Sequence, residues 1–140
     1  MRDQMNQLHF KRAISPVSVA DNTAQTGEVV DLQGFDSCTF VIATGSIADA
    51  DVTFAVEVQE CDTSGGTYTA VADANLIGTE ALAGFQFDDD NECRKIGYIG
   101  SKRYVKLVIT PSGNASAALL SAVAVLGHPN RAPTSNPPAR

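Results

Sequence analysis

The sequence predicts an all-β protein, a two-sheet antiparallel β-sandwich of about eight strands, and three stretches carry that prediction. In Val52 to Glu60, Val52, Phe54, Val56 and Val58 alternate with Thr53, Ala55, Glu57 and Gln59, the pattern of a strand with one buried and one wet face. Arg94 to Thr110 holds two alternating runs, Lys95 to Ile99 and Arg103 to Ile109, around a Gly100-Ser101-Lys102 break, which reads as an antiparallel hairpin with glycine supplying a positive φ. Ala115 to Leu126 is the longest apolar run and is apolar on both alternating faces, Leu119, Ser121, Val123 and Val125 on one, Ala118, Leu120, Ala122, Ala124 and Leu126 on the other. No long amphipathic helical pattern competes with these strands.

Taken in order, Met1 to Ser15 scatters Leu8, Phe10 and Ile14 among charged and polar residues and is expected to be an extended arm, residues 1–15. Pro16 to Ala20 is a short alternation whose proline suits a strand start or an edge. A turn at Asp21-Asn22-Thr23 leads to a short strand over Gly27 to Leu32, and Ser37 to Ala43, compatible with burial on both faces, is a central strand. After Val52 to Glu60 the turn residues Asp62 to Gly66 send Thr67 to Ala72 back as a hairpin partner. Asp73 to Gly84 is a loop or one helical turn, and Gly84 to Phe87 a short strand. Past the Arg94 to Thr110 pair, Pro111 to Asn114 turns the chain into the last apolar strand, which Gly127 stops. The sandwich therefore spans residues 16–127, and the proline-rich residues 128–140 are expected to be an extended, exposed tail.

One hundred and forty residues suffice for one core, since a chain of this size buries roughly 70% of the surface it exposes when unfolded. The net charge of −6 conceals a segregation: Ala13 to Cys93 holds no Lys or Arg and fifteen acids, and after Glu92 seven basic residues follow with no acid. Either C-terminal strands insert between earlier ones and pair these charges, or the molecule is electrically bipolar; pairing is the simpler expectation. Cys38, Cys61 and Cys93 are an odd number without metal-site spacing, which argues against a disulfide framework and a structural zinc site. The polar start lacks the apolar core of a signal peptide and no run is long enough to span a membrane, so synthesis and residence in a cytoplasm are expected.

Catalytic signatures are missing. His9 and His128 lie outside the expected core, no nucleophile elbow, zinc-binding helix motif or phosphate loop occurs, and Glu57 and Glu60 fall on opposite strand faces; no enzymatic activity and no cofactor are expected. Asp88, Asp90 and Glu92 alternate as hard-cation ligands would, but Cys93 stands where a calcium loop needs glycine and no closing Glu follows. The cluster reads as a solvated turn tip.

GFDS at Gly34 to Ser37, ECDTSGGTYTAV at Glu60 to Val71, IGYIGSKRYVKL at Ile96 to Leu107 and AVAVLGHP at Ala122 to Pro129 form a pattern, spread over Val29 to Pro129, that resembles the capsid cement, or decoration, proteins of tailed bacteriophages, in particular those of short-tailed Bordetella-type phages. The resemblance implies a jelly-roll sandwich on the exterior of an HK97-like head, a homodimer that binds the major capsid protein and clamps neighbouring capsomers, with no direct nucleic-acid or membrane contact. A clamp needs reaching termini and a docking surface. The candidates are Arg2, Phe10, Lys11 and Arg12 in the arm, Ala118, Leu120, Ala122 and Ala124 on the last strand, and Arg131 in the tail. The alternative is a ligand- or glycan-binding sandwich of a phage tail, neck or fibre, which would need an exposed aromatic platform, for which Tyr68, Tyr98 and Tyr104 and six phenylalanines are available.

Overall fold

The computed structural model describes residues 1–138. Its elements are β1 (His9–Val19), β2 (Gln25–Thr26), β3 (Val30–Asp31), β4 (Phe35–Ile47), β5 (Thr53–Cys61), β6 (Thr69–Ala70), β7 (Leu76–Ile77), the one-turn α1 (Glu80–Ala83), β8 (Phe85–Gln86), β9 (Cys93–Tyr98), β10 (Tyr104–Ser112) and β11 (Ala118–Pro129). One sheet runs β1-β11-β4-β9-β7; the other runs β2-β10-β5-β6, with β3 also on β10 and β8 also on β5. With β2 and β3 taken as one broken strand, and β6 and β8 as another, the order in the two sheets is that of a jelly roll, and β7 extends one edge.

The core lies between the sheets. Phe40, Ile42, Ile96 and Leu126 from one and Val58, Val105, Leu107 and Ile109 from the other are buried against each other. The alternation of β5 holds residue by residue, with Phe54, Val56 and Val58 inward and Thr53 and Ala55 exposed. β11 lies between β1 and β4, and β10 between β2 and β5, so the late, basic part of the chain is threaded through the early, acidic part. The segregated charges meet as a result: Arg12 with Glu28 (3.3 Å), Arg103 with Asp31 (2.8 Å), Lys102 with Asp62 (2.6 Å) and Arg94 with both Asp89 (2.8 Å) and Glu92 (2.6 Å).

Three expectations change. Residues 9–15, assigned to the arm, form the first half of β1, where His9, Ala13 and Ile14 are buried. Register shifts after Arg12 and after Ile14 break the alternation that would have revealed the strand, and Pro16 sits in the second of them on an edge, where its missing N–H costs no ladder bond. Second, β9 and β10 are no hairpin. β9 pairs with β4 and β7 in one sheet, β10 with β5, β2 and β3 in the other, and residues 99–103 arch between them.

Glycine is needed in that arch for close approach and not for a positive φ, which Gly100 lacks: a Cβ there would stand 2.5 Å from the Tyr98 hydroxyl. That hydroxyl donates to Glu60 Oε2 on the opposite sheet (2.6 Å) and accepts from the Lys102 N–H (3.0 Å), which clasps the arch to the sandwich. Third, β11 continues through Pro129, so the tail starts two residues later than expected, and it folds back. Thr134 donates its N–H to Asn6 O (3.0 Å) and its hydroxyl to Leu8 O, which straps residues 130–138 over the N-terminal turn Met5–Gln7. Asn114 joins a different pair of segments: its side-chain amide donates to Val19 O and Asp21 O, both at 3.0 Å, and its backbone N–H to Asn22 Oδ1 (2.8 Å).

Candidate docking surface

The two outer faces differ in chemistry. On the β5 and β10 side, Thr53, Glu57, Gln59, Lys106 and Thr110 point outward and make a polar surface. On the five-stranded sheet two registered rows cross the strands: Phe10, Val125, Thr39, Gly97 and Ile77, then Arg12, Val123, Val41 and Lys95. Neither row contains an acid. Phe10 (45% exposed), Val123 (38%) and Ile77 (61%) stand open to solvent on these rows, and Leu119 (47%) continues the band along β11. Apolar side chains gathered on one sheet face mark a surface that gains by being covered.

The face chosen from sequence on β11 is the wrong one. Ala118, Leu120, Ala122 and Ala124 are 0–3% exposed and face the other sheet. The small size of Ala122 and Ala124 has a packing cause: Ala124 pairs with Phe40 and Ala122 with Ile42, and these bulky neighbours fill the space between the sheets. The outward set, Leu119, Ser121, Val123 and Val125, takes its place in the docking band.

The terminal candidates divide. Phe10 lies in the band, and Arg12 at its margin reaches Glu28, with both side chains more than 60% exposed. Lys11 points to the opposite side of β1 and lines, with His9, Asp31, Gln33, Phe35, Arg131 and Thr134, a cleft of about 330 Å³ beneath the tail. Hydrogen bonding from Arg103 holds the Asp31 carboxyl below the usual carboxylate range. Arg2 is exposed in the segment before the Met5–Gln7 turn.

The acidic loop is organised by arginine. Arg94 bridges Asp89 and Glu92, Asp89 Oδ2 accepts the Gln86 N–H (2.8 Å), and Thr44 Oγ1 donates to Asp89 O (2.7 Å) and accepts the Glu92 N–H (2.9 Å). Among the described residues no three acidic, histidine or cysteine side chains gather as metal ligands, so Asp88, Asp90 and Glu92 are not brought together. The three tyrosines differ in setting. Tyr98 is buried, the Tyr68 ring is covered by Lys106 Nζ at 4.3 Å, and the Tyr104 ring lies against Arg103 at 5.0 Å. Of the three thiols, Cys38 is buried, which pushes its pKa up to about 12, whereas Cys93 is exposed; all three are free.

No family model and no curated protein matches the sequence. Several solved structures do match in fold at low identity. A protein of infectious bursal disease virus, Gx strain, aligns at 13% identity with a TM-score of 0.48, covering 91% of this chain and 35% of that one. The CBM22-1-GH10 modules of Clostridium thermocellum endo-1,4-β-D-xylanase 10B, complexed with xylohexaose, align at 9% identity with a TM-score of 0.45, covering 91% and 27%. A Bacillus endospore appendage, of a family of disulfide-linked pili, aligns at 13% identity with a TM-score of 0.41, covering 91% and 95%. The chain thus spans about a third or less of the first two proteins, and at these scores none of the three assigns it a function.

Proposed function

We propose that this protein is a structural, non-enzymatic component of a virion, a capsid cement protein that docks on the outside of an assembled phage head and clamps neighbouring capsomers. The observation that carries this reading is the acid-free apolar band across the five-stranded sheet, from Phe10 through Val125, Thr39 and Gly97 to Ile77, beside Val123 and Val41. The phage-like motifs support it, because three of the four supply strands of the sheet that presents this band. The major capsid protein is the partner. Repetition does the stabilising: each contact is modest, but many copies on a closed shell bind the assembled state and not its separated parts.

The test is co-sedimentation with DNA-filled heads of a tailed phage stripped of decoration, followed by a heat challenge. Saturable binding and longer survival of the heads are expected. Val123→Glu, which places a charge in the centre of the band on an exposed position, is expected to fold normally by circular dichroism and to bind at least about tenfold more weakly. No saturable binding, or equal binding by the folded variant, would overturn the reading, and binding to a glycan array in its place would support the tail or fibre alternative.

A further inference from the structure

The rim of the five-stranded sheet carries a second surface. β9 is paired on one side along its whole length with β4, Cys93 opposite Ala43 through Tyr98 opposite Cys38. On its other side only the two residues of β7 pair with it, Leu76 with Tyr98 and Ile77 with Gly97. The Ile99 N–H donates to Asn75 O (2.9 Å), so backbone groups of the odd-numbered residues face that side, and strand alternation carries Cys93 and Lys95 with them. Past Ile77, Gly78 (φ +86°) turns the chain out of the sheet into the Thr79-capped α1, which packs beside β9 and β5, and no strand continues opposite Lys95 and Cys93. Their N–H and C=O groups are left without a partner among the described residues.

Beside this open edge is a cleft of about 510 Å³, lined by Ile77, Thr79, Leu82, Lys95 and Gly97 among others. Leu82 is 75% exposed at its wall. Gly97 contributes no side chain, which deepens the cleft. Lys95 makes no ion pair among the described residues, unlike Arg94, whose guanidinium is taken by Asp89 and Glu92.

We propose that the edge of β9 is a binding site for an extended segment of a partner protein, which adds as a strand beside Cys93 to Lys95, seats an apolar side chain between Ile77 and Leu82, and places a carboxylate within two residues of it against Lys95. Strand addition of this kind takes its affinity from main-chain bonds and its selectivity from alternate side chains. The charge decides against a second copy of this chain: two β9 edges paired antiparallel about Lys95 would set the two lysines against each other, which is destabilising across a strand pair. A segment with a carboxylate relieves that repulsion. The site shares Ile77, Gly97 and Lys95 with the docking band, but it is tested apart from the phage-head reading, since its affinity comes from the rim's backbone and not from the exposed side chains of β1 and β11.

The probe is a displayed library of random heptapeptides. Enriched peptides are expected to share an apolar residue with Asp or Glu within two positions, and to slow amide exchange at Lys95 and Cys93. Lys95→Pro removes an N–H that points off the sheet, so the ladder to β4 stays intact, and it should weaken the enriched peptides at least about tenfold. Leu82→Asp, at an exposed position, should do the same with the edge backbone unchanged. No enrichment over background, or undiminished binding to both folded variants, would overturn the proposal. So would a parent protein that self-associates in sedimentation and becomes monomeric on Lys95→Pro.

Discussion

His9 shows how a single buried residue can carry a pH response. It begins β1 opposite Leu126, is 6% exposed, and stacks on Phe35 with ring centroids 5.1 Å apart. Burial, and then the neighbouring Lys11 charge, hold its pKa below the ordinary 6.5. The folded chain therefore resists a proton that the unfolded chain accepts. This contribution is fully present above about pH 6.5 and is lost as the pH falls towards the depressed folded value, because there the unfolded state binds more protons. Urea midpoints at pH 7.5 and 5.5 should show a decline for the parent protein and a smaller one for His9→Gln; equal declines would exclude His9 as the cause. The same residue explains why β1 was hard to read. A histidine and a lysine facing the interior side of an edge strand, followed by an extra residue at Ala13, imitate the irregular polarity of a tail.

At the scale of elements, the β9 to β10 connection is the informative one. Its apolar alternation and its glycine were legible, and both strands exist, but local turn chemistry does not state which sheet each strand joins. That is settled by Tyr98, whose hydroxyl crosses the core to Glu60 while Gly100 passes over its ring. Tyr98→Phe leaves the ring in place and removes the hydrogen bonds to Glu60 and Lys102, so it should cost about 1–3 kcal/mol, read as a lower denaturant midpoint with an unchanged slope. A change below the error of the measurement would show that the arch is held by packing alone. β5 was read correctly down to each facing residue because one of its sides is wet. β11 was not, because both sides are apolar, and the choice between them is made by Phe40 and Ile42 on the neighbouring strand. The docking band was invisible for a related reason: its rows are assembled from β1, β11, β4, β9 and β7, which are far apart in the chain and come into register only in the sheet.

For the whole molecule, the termini matter most. The N-terminal turn and the tail meet, where Thr134 straps Met5–Gln7 and the tail roofs the His9 and Lys11 cleft. Ending the chain at Pro129 should leave β11 and the core protected while amide exchange at residues 5–9 rises, because the Thr134 bonds to Asn6 and Leu8 are gone. Unchanged protection there would mean that the strap does not hold the N-terminal turn. Removal of residues 1–12, by contrast, takes away four rungs of the β1 to β11 ladder and the buried His9, so it would test the fold and not only an arm.

The threading of β11 between β1 and β4 also governs how the molecule comes into being. The first strand has no partner strand until β11 has been made, so the five-stranded sheet cannot close before then, and β1 and β4 each keep an unpaired edge while the chain grows. Topologies with such distant pairings fold slowly and are exposed to aggregation while they wait. Closure of the larger sheet is therefore a late event: a chain that stops before Ala118 lacks the seam that joins β1 to β4.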